Sequence, residues 1–246
     1  MIEKDRLKTL AIVPARGNSK RVPNKNLKRL GGIPLFLYTL TAALNSDEID
    51  LVCLTTESHE IERAAMDYAK KAGKLDKLDI IHRAMYLTMD HVQLDEVCLA
   101  AVRQYELNGY YALENIVVLQ PTSPFRTTGD IDDAIQMLGG TDANTVFSAF
   151  YDNGFYWEWS HQSGDVKPLA HNPSNRLGGQ WEWQERSIVK ENGALYVTKY
   201  EQFTHTKTFR NAPFAPIMLD GGAIIDIDTP SDWAEAESHL ARILGE

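Results

Sequence analysis

Only two cysteines occur in 246 residues, Cys53 and Cys98, and both sit inside apolar runs. A scaffold stapled by several disulfides is excluded, and buried free thiols in a cytoplasmic protein are expected. No apolar stretch approaches the roughly 20 residues that cross a bilayer, so no membrane partner is expected. The start, MIEKDRLK, carries no secretory-type apolar run behind it. The seven histidines show no metal-type spacing with cysteine or with one another, and H-E-x-x-H is missing. G-x-S-x-G, G-x-x-x-x-G-K-[ST] and G-x-G-x-x-G are missing as well, which removes the nucleophile elbow, the P-loop and the dinucleotide fingerprint. No internal repeat or low-complexity tract is found.

The most informative shortage is local. Between Asp5 and Asp47 there is no acidic residue, while Arg6, Lys8, Arg16, Lys20, Arg21, Lys25, Lys28 and Arg29 fall inside that window. The net charge is −9, so the +8 of this window leaves −17 for the remainder. An acidic body makes nucleic acid a poor partner. A cationic patch on it suits a small, strongly anionic ligand, although a basic run can equally be a solvated loop.

What is present reads as alternating strands and helices. TLAIVPA (residues 9–15), DLVCLTT (50–56), LDIIHR (78–83), NIVVLQ (115–120), NTVFSAF (144–150), GALYVTK (193–199) and AIIDID (223–228) have strand character. Helices are expected from Pro34, over 59–73, 94–109 and 128–140, and from Pro230. This alternation predicts an α/β fold with a mainly parallel central sheet flanked by helices. One domain, 1–246, is expected. The pattern breaks at 151–191, where YDNGFYWEWS and GGQWEWQERS are aromatic and turn-rich. An inserted, extended sub-domain is expected there, serving as a subunit interface or as a small satellite core.

Ligands of such sheets gather at the carboxyl ends of the strands. AIVPARGNSKRVPNKN lies there. Gly17 lets a backbone approach closely, Arg16 and Lys25 can neutralise phosphate charge, and Ser19 and Asn26 can hydrogen-bond it. In IIDIDTPSD, Asp226 and Asp228 alternate on an apolar run and so face one side. Thr229, Pro230 and Asp232 suffice to start the helix, which leaves that pair free to hold a magnesium ion; ordinary loop-edge aspartates are the plain alternative. In LQPTSPFRT, Gln120 ends a buried strand and can hydrogen-bond a sugar or base; a proline-braced connection is the plain alternative. Asn192-Gly193 in ENGALYV reads first as a turn, with Asn192 and Tyr196 as secondary pocket candidates.

VPARGNSKRVPNKN, LQPTSPFRT, ENGALYV and IDIDTPSDWAEAE occur in that order along nearly the whole chain. In this the sequence resembles the acylneuraminate cytidylyltransferase family, the CMP-sialic acid synthetases and their relatives acting on bacterial nonulosonic acids. The resemblance implies a Rossmann-like nucleotidyltransferase fold, CTP as co-substrate, Mg2+ as cofactor, and a homodimer formed through the inserted segment. It implies that Ala15, Arg16, Gly17, Ser19, Lys25 and Asn26 cradle the nucleotide with Arg83 nearby. Gln120, Thr122, Asn192 and Tyr196 would lie at the sugar acid, and Asp226 and Asp228 at the metal. Arg16, Lys25, Asp226 and Asp228 would carry the catalysis. The sequence departs from the family at Glu57, where an aspartate is usual, and at Ala84, where a proline follows the arginine. It departs again at GGQWEWQERS, where an arginine-rich segment is usual; Arg176 or Arg186 would then supply the cation. The neighbouring readings are a cytidylyltransferase for a shorter acid such as 3-deoxy-manno-octulosonate, and a catalytically silent nucleotide-binding module.

Overall fold

A computed structural model describes residues 7–110, 112–152, 154, 156–169 and 188–245. Its centre is a seven-stranded sheet. β1 (Thr9–Pro14), β4 (Leu51–Thr56), β5 (Leu78–His82) and β6 (Asn115–Leu119) run parallel, with β1 between β4 and β6. β7 (Thr145–Tyr151) and β11 (Phe214–Met218) are parallel to each other at the far side, and β10 (Val189–Lys199) lies antiparallel between β6 and β7. The order is therefore β11-β7-β10-β6-β1-β4-β5. Two two-residue strands, β2 (Arg29–Leu30) and β3 (Ile33–Pro34), form a small antiparallel pair. β8 (Tyr156–Trp159) and β9 (Val166–Leu169) form a separate hairpin.

Six helices flank or follow the sheet among the described residues: α1 (Leu35–Asn45), α2 (His59–Lys71), α3 (Leu94–Leu107), α4 (Thr128–Gly139), α5 (Tyr200–Thr206) and α6 (Pro230–Leu244). β1 and β4 are buried along nearly their whole length because both faces are covered, which is why they read as unbroken apolar runs. One core cluster packs α1, α2 and α4 against one face; another packs α3 and Phe203 of α5 against the other. Cys53 and Cys98 are free and buried in the second. Burial pushes the Cys53 thiol up to about 12, so it stays an inert thiol. No helix among the described residues is long and apolar enough to cross a membrane.

The sequence reading needs three corrections. AIIDID is no strand: residues 221–224 form a 3-10 turn, and the chain then runs extended without a sheet partner. The alternation survives all the same, since Ile225 and Ile227 are buried while Asp226 and Asp228 face outward. Pro34 precedes α1 rather than opening it, because it belongs to the β2–β3 pair. The short α5 and the edge strand β11, which contains Pro216, escaped the pattern altogether. In the expected insertion, β8 and β9 are extended as read; GGQWEWQERS, with Arg176 and Arg186, lies outside the described residues.

A third, small core matters most for position. Val22, Leu30 and Leu35 pack with Ile225, Ile227, Trp233 and Ala236. It welds the segment after β1 to the segment before α6, two pieces about 200 residues apart in sequence.

Candidate active site

β1 has β4 on one side and β6 on the other, so the crossovers leave it in opposite directions; a crevice opens at its carboxyl end. The loop that follows folds on itself. Asn24 takes a left-handed conformation (φ 51°), and its carbonyl accepts from the amides of Leu27 and Lys28. The Ser19 hydroxyl accepts from the Lys25 amide (2.7 Å) and donates to the Val22 carbonyl (2.7 Å). The Asn26 side-chain amide donates to the Arg16 carbonyl at 2.8 Å, while its own carbonyl oxygen is buried without a partner. Ala15 is buried and its amide donates to the Thr55 carbonyl.

Gly17 also has a reason inside the protein. Its amide donates to Glu57 at 2.7 Å, and a Cβ there would sit 2.8 Å from the Ser58 Cβ. The close approach is to the start of α2, so glycine is required by packing within the protein.

The cationic loop meets the aspartate segment directly. Lys25 Nζ, only 12% exposed, donates to the Ile227 carbonyl (2.5 Å) and to Asp228 Oδ1 (3.0 Å); Arg21 reaches the other oxygen at 3.2 Å. Asp226 points outward beside it, with Thr122 hydrogen-bonded to its carboxylate. Desolvation, and then the Asp228 charge, raise the Asp226 pKa above the usual carboxylate range. Across the crevice Asp90 pairs with Arg16 (3.1 Å) and Lys20, which hold its carboxyl low. In the protein alone, therefore, several loop cations rest on carboxylates that an anionic ligand would displace or share.

Together these residues border a cleft of about 280 Å³. Arg16, Ser19, Lys25, Asn26 and Asp228 line one wall, Arg83 and Asp90 another, and Gln120 and Thr122 the end of β6. Arg83 is buried and its guanidinium donates to the Thr55 carbonyl at 2.6 Å; desolvation lowers its pKa. Gln120 donates to the Gly193 carbonyl at 2.7 Å.

Five expected residues are not in that lining: Ala15, Gly17, Asp226, Asn192 and Tyr196. Asn192 is committed within the fold: its amide donates to the Ala223 carbonyl, and its oxygen accepts from Ser148 and the Ala194 amide. It thereby anchors the base of the aspartate segment. Tyr196 is buried in the second core, packed against Phe209, with its hydroxyl hydrogen-bonded to Glu191. Sequence reasoning passed over Asp90, although YLTMD followed Arg83 at a suggestive distance. It also passed over Arg126 of LQPTSPFRT, which is buried, donates to the Ala194 carbonyl, and is pushed down to about 10 by desolvation. Its signal was a basic residue in a segment otherwise uncharged and braced by two prolines.

The solved structures most like this fold include a CMP:2-keto-3-deoxy-manno-octonic acid synthetase complexed with CTP (14% identity, TM-score 0.65, covering 96% of this chain and 99% of that one). A 4-diphosphocytidyl-2C-methyl-D-erythritol synthase from Anaerococcus prevotii superposes with a TM-score of 0.69 at 11% identity, covering 97% and 99%. At these identities the likeness concerns the fold. In sequence, the chain is 30% identical over 241 residues to a CMP-N,N'-diacetyllegionaminic acid synthase of Legionella pneumophila, covering 94% of this chain and 95% of that protein. It is 28% identical over 235 residues to an N-acylneuraminate cytidylyltransferase of Oncorhynchus mykiss, of which it spans half the length. A family model described as cytidylyltransferase matches residues 10–154, the stretch that carries β1, its cationic loop, Arg83 and the end of β6. With more than half the chain matched and all of the crevice lining but Asp228 drawn from that same stretch, the protein belongs to the cytidylyltransferase family.

Proposed function

We propose that the protein transfers CMP from CTP to the anomeric hydroxyl of a nonulosonic, sialic-type sugar acid and releases pyrophosphate. The observation that carries this reading is the meeting of Lys25 with Asp228 at the mouth of the β1 crevice. A cationic loop suited to a triphosphate shares the cleft with Asp228, and Asp226, two residues earlier on the same side of the chain, completes an acidic pair suited to a hard cation. The names borne by the sequence relatives, a legionaminic acid synthase and N-acylneuraminate cytidylyltransferases, support the sugar-acid class.

In this scheme Arg16 and Lys25 bind the phosphates, with Ser19 and Asn26 fixing the loop that presents them. Asn26 Oδ1, buried without a partner on the cleft wall, is placed to accept a hydrogen bond from the nucleotide. Asp226 and Asp228 fit a magnesium ion by donor chemistry: both offer carboxylate oxygens on one side of the chain, and desolvation, with the Asp228 charge behind it, raises the Asp226 pKa, a penalty that a bound cation would relieve. When bound, Mg2+ would supply charge neutralisation at the α-phosphate. The sugar hydroxyl attacks the α-phosphorus, its proton passes to solvent, and the bond to pyrophosphate breaks. The chain's own contribution is alignment and neutralisation of the departing charge by Arg16 and Lys25. Gln120 and Thr122, at the end of β6, orient the sugar acid. Asn192 and Tyr196 support that end from behind: Asn192 through the Ala223 carbonyl, and Tyr196 from the strand that carries Gly193.

A homodimer belongs to the same proposal. Every residue of the β8–β9 hairpin is exposed, Trp157 and Trp159 included, and a two-stranded hairpin is marginal without cover. A second copy would cover it.

Pyrophosphate release, measured with four nucleoside triphosphates against a panel of nonulosonic acids and 3-deoxy-manno-octulosonate, with and without Mg2+, tests the reading. Turnover is expected with CTP, a nonulosonic acid and Mg2+. Preference for the shorter acid would move the protein to the sister reaction. CTP binding without any turnover would mark it a silent module.

A further inference from the structure

Outside the cleft, one cluster of side chains has the chemistry of a cation site, and sequence spacing hid it. His59 opens α2, Glu62 follows one turn later on the same helix face, and His82 ends β5. The two imidazoles turn Nδ1 toward the same carboxylate, one to each oxygen. His59 Nδ1 lies 2.9 Å from Glu62 Oε2, and His82 Nδ1 lies 2.6 Å from Oε1. The rings stack with centroids 5.1 Å apart and planes 23° from parallel.

We propose that His59, Glu62 and His82 bind a divalent cation of the zinc class, at a site separate from the cleft. One ligand atom from each of the three residues lies within 4.8 Å of the others, and no other group of three metal-type ligands comes as close among the described residues. Bonds of about 2.0–2.1 Å to nitrogen and oxygen require the widest pair to close to no more than about 4.2 Å. Both histidines are largely exposed, so a small side-chain rotation achieves this without moving backbone. Glu62 is held below the usual carboxylate range by hydrogen bonds from His82 and His59 and is already an anionic ligand. Two imidazoles and one carboxylate leave a tetrahedral ion one position for water.

This donor set also selects against the hard cation of the proposed reaction. Magnesium prefers oxygen ligands in an octahedron, whereas imidazole nitrogen favours zinc, copper and nickel. The two sites therefore do not compete for one ion.

Position gives the site a consequence. Ser58, which caps α2 and packs against Gly17, directly precedes His59. Arg83, which lines the cleft, directly follows His82. An ion held here fastens the beginning of α2 to the end of β5, immediately behind two walls of the crevice.

The test uses the full chain without a histidine tag, stripped with chelator and dialysed against Zn2+ in the presence of excess Mg2+. One tightly held equivalent per chain is expected, and Co2+ in its place is expected to give a visible absorption band of tetrahedral type. Glu62→Gln and His82→Ala should each weaken binding at least about tenfold, since even removing an outer-shell partner of a metal costs about 10–100-fold. His205→Ala, in α5 and remote in sequence from the cluster, should leave it unchanged. If His82→Ala fails to fold, His59→Ala, at an exposed helix start, replaces it. The absence of a tight equivalent in the parent chain overturns the proposal, and so does its retention in Glu62→Gln and the histidine variant. Neither result depends on whether CTP is the nucleotide.

Discussion

Asp228 accepts from Lys25 and pairs with Arg21, and Asp226 beside it is charged against its surroundings. The two carboxylates therefore make different predictions. Asp228→Asn should leave the fold standing, because Lys25 still donates to the Ile227 carbonyl. It should lower kcat by about 10²–10³, the size expected for a lost charge contact in the transition state. Pyrophosphate release under saturating CTP measures it, and a rate near that of the parent would sink the metal assignment. Asp226 has a folded-state pKa above its unfolded value, so its ionisation disfavours the ligand-free fold. That penalty is fully present above the folded pKa and disappears as pH falls through it toward the unfolded value. Asp226→Asn should accordingly raise Tm at neutral pH, with the advantage over the parent shrinking on acidification. Thermal scans across pH 3–7.5 in chelator, a window set by the ordinary carboxylate range, check the sign.

The element scale shows how such residues are held. α6 opens with a capping box: the Thr229 side chain accepts from the Asp232 amide, and Asp232 accepts from Thr229 and from the Asp228 amide as well. The cap was legible in TPSD because its rule is local. The strand reading of AIIDID failed because alternation reports which side is buried, and here burial comes from the third core rather than from a sheet. Gly17 illustrates the same limit: a glycine is visible in sequence, but the Ser58 Cβ that demands it belongs to another element. Gly17→Ala should therefore push the loop after β1 away from α2 and raise the KM for CTP several-fold, with a stability loss of about 1–3 kcal/mol. Adding Ser58→Gly removes the obstructing Cβ and should recover part of both effects. A double-mutant cycle that is simply additive would refute the contact. Tyr196 and Asn192 were recognisable as motif members together with Glu191, yet their commitment to the fold also depended on Phe209 and Ala223, neither of which shares a local pattern with them.

For the molecule as a whole, the α/β alternation and the placing of the crevice at the end of β1 could be read in advance, since each strand and crossover carries its own pattern. The antiparallel insertion of β10 between β6 and β7 could not, because direction within a sheet leaves no mark on composition. The aromatic hairpin was equally plain as an anomaly, though sequence left open whether it formed an interface or a satellite core. Among the described residues of that segment, Trp157 is 44% and Trp159 61% exposed. The parent chain is expected to sediment as a dimer, and Trp157→Ser with Trp159→Ser to shift it toward the monomer while the far-ultraviolet spectrum is retained. A double variant that still sediments as a dimer would place the interface elsewhere.

The small third core also has a bearing on biogenesis. Lys25 finds Asp228 only once a segment 203 positions downstream has been made and docked. During translation the cationic loop emerges and waits, its charges facing solvent, until that later segment has also left the ribosome. A nascent chain halted before Ile225 would carry the cationic loop and Asp90 but neither Asp226 nor Asp228, so the crevice is completed late and in one step.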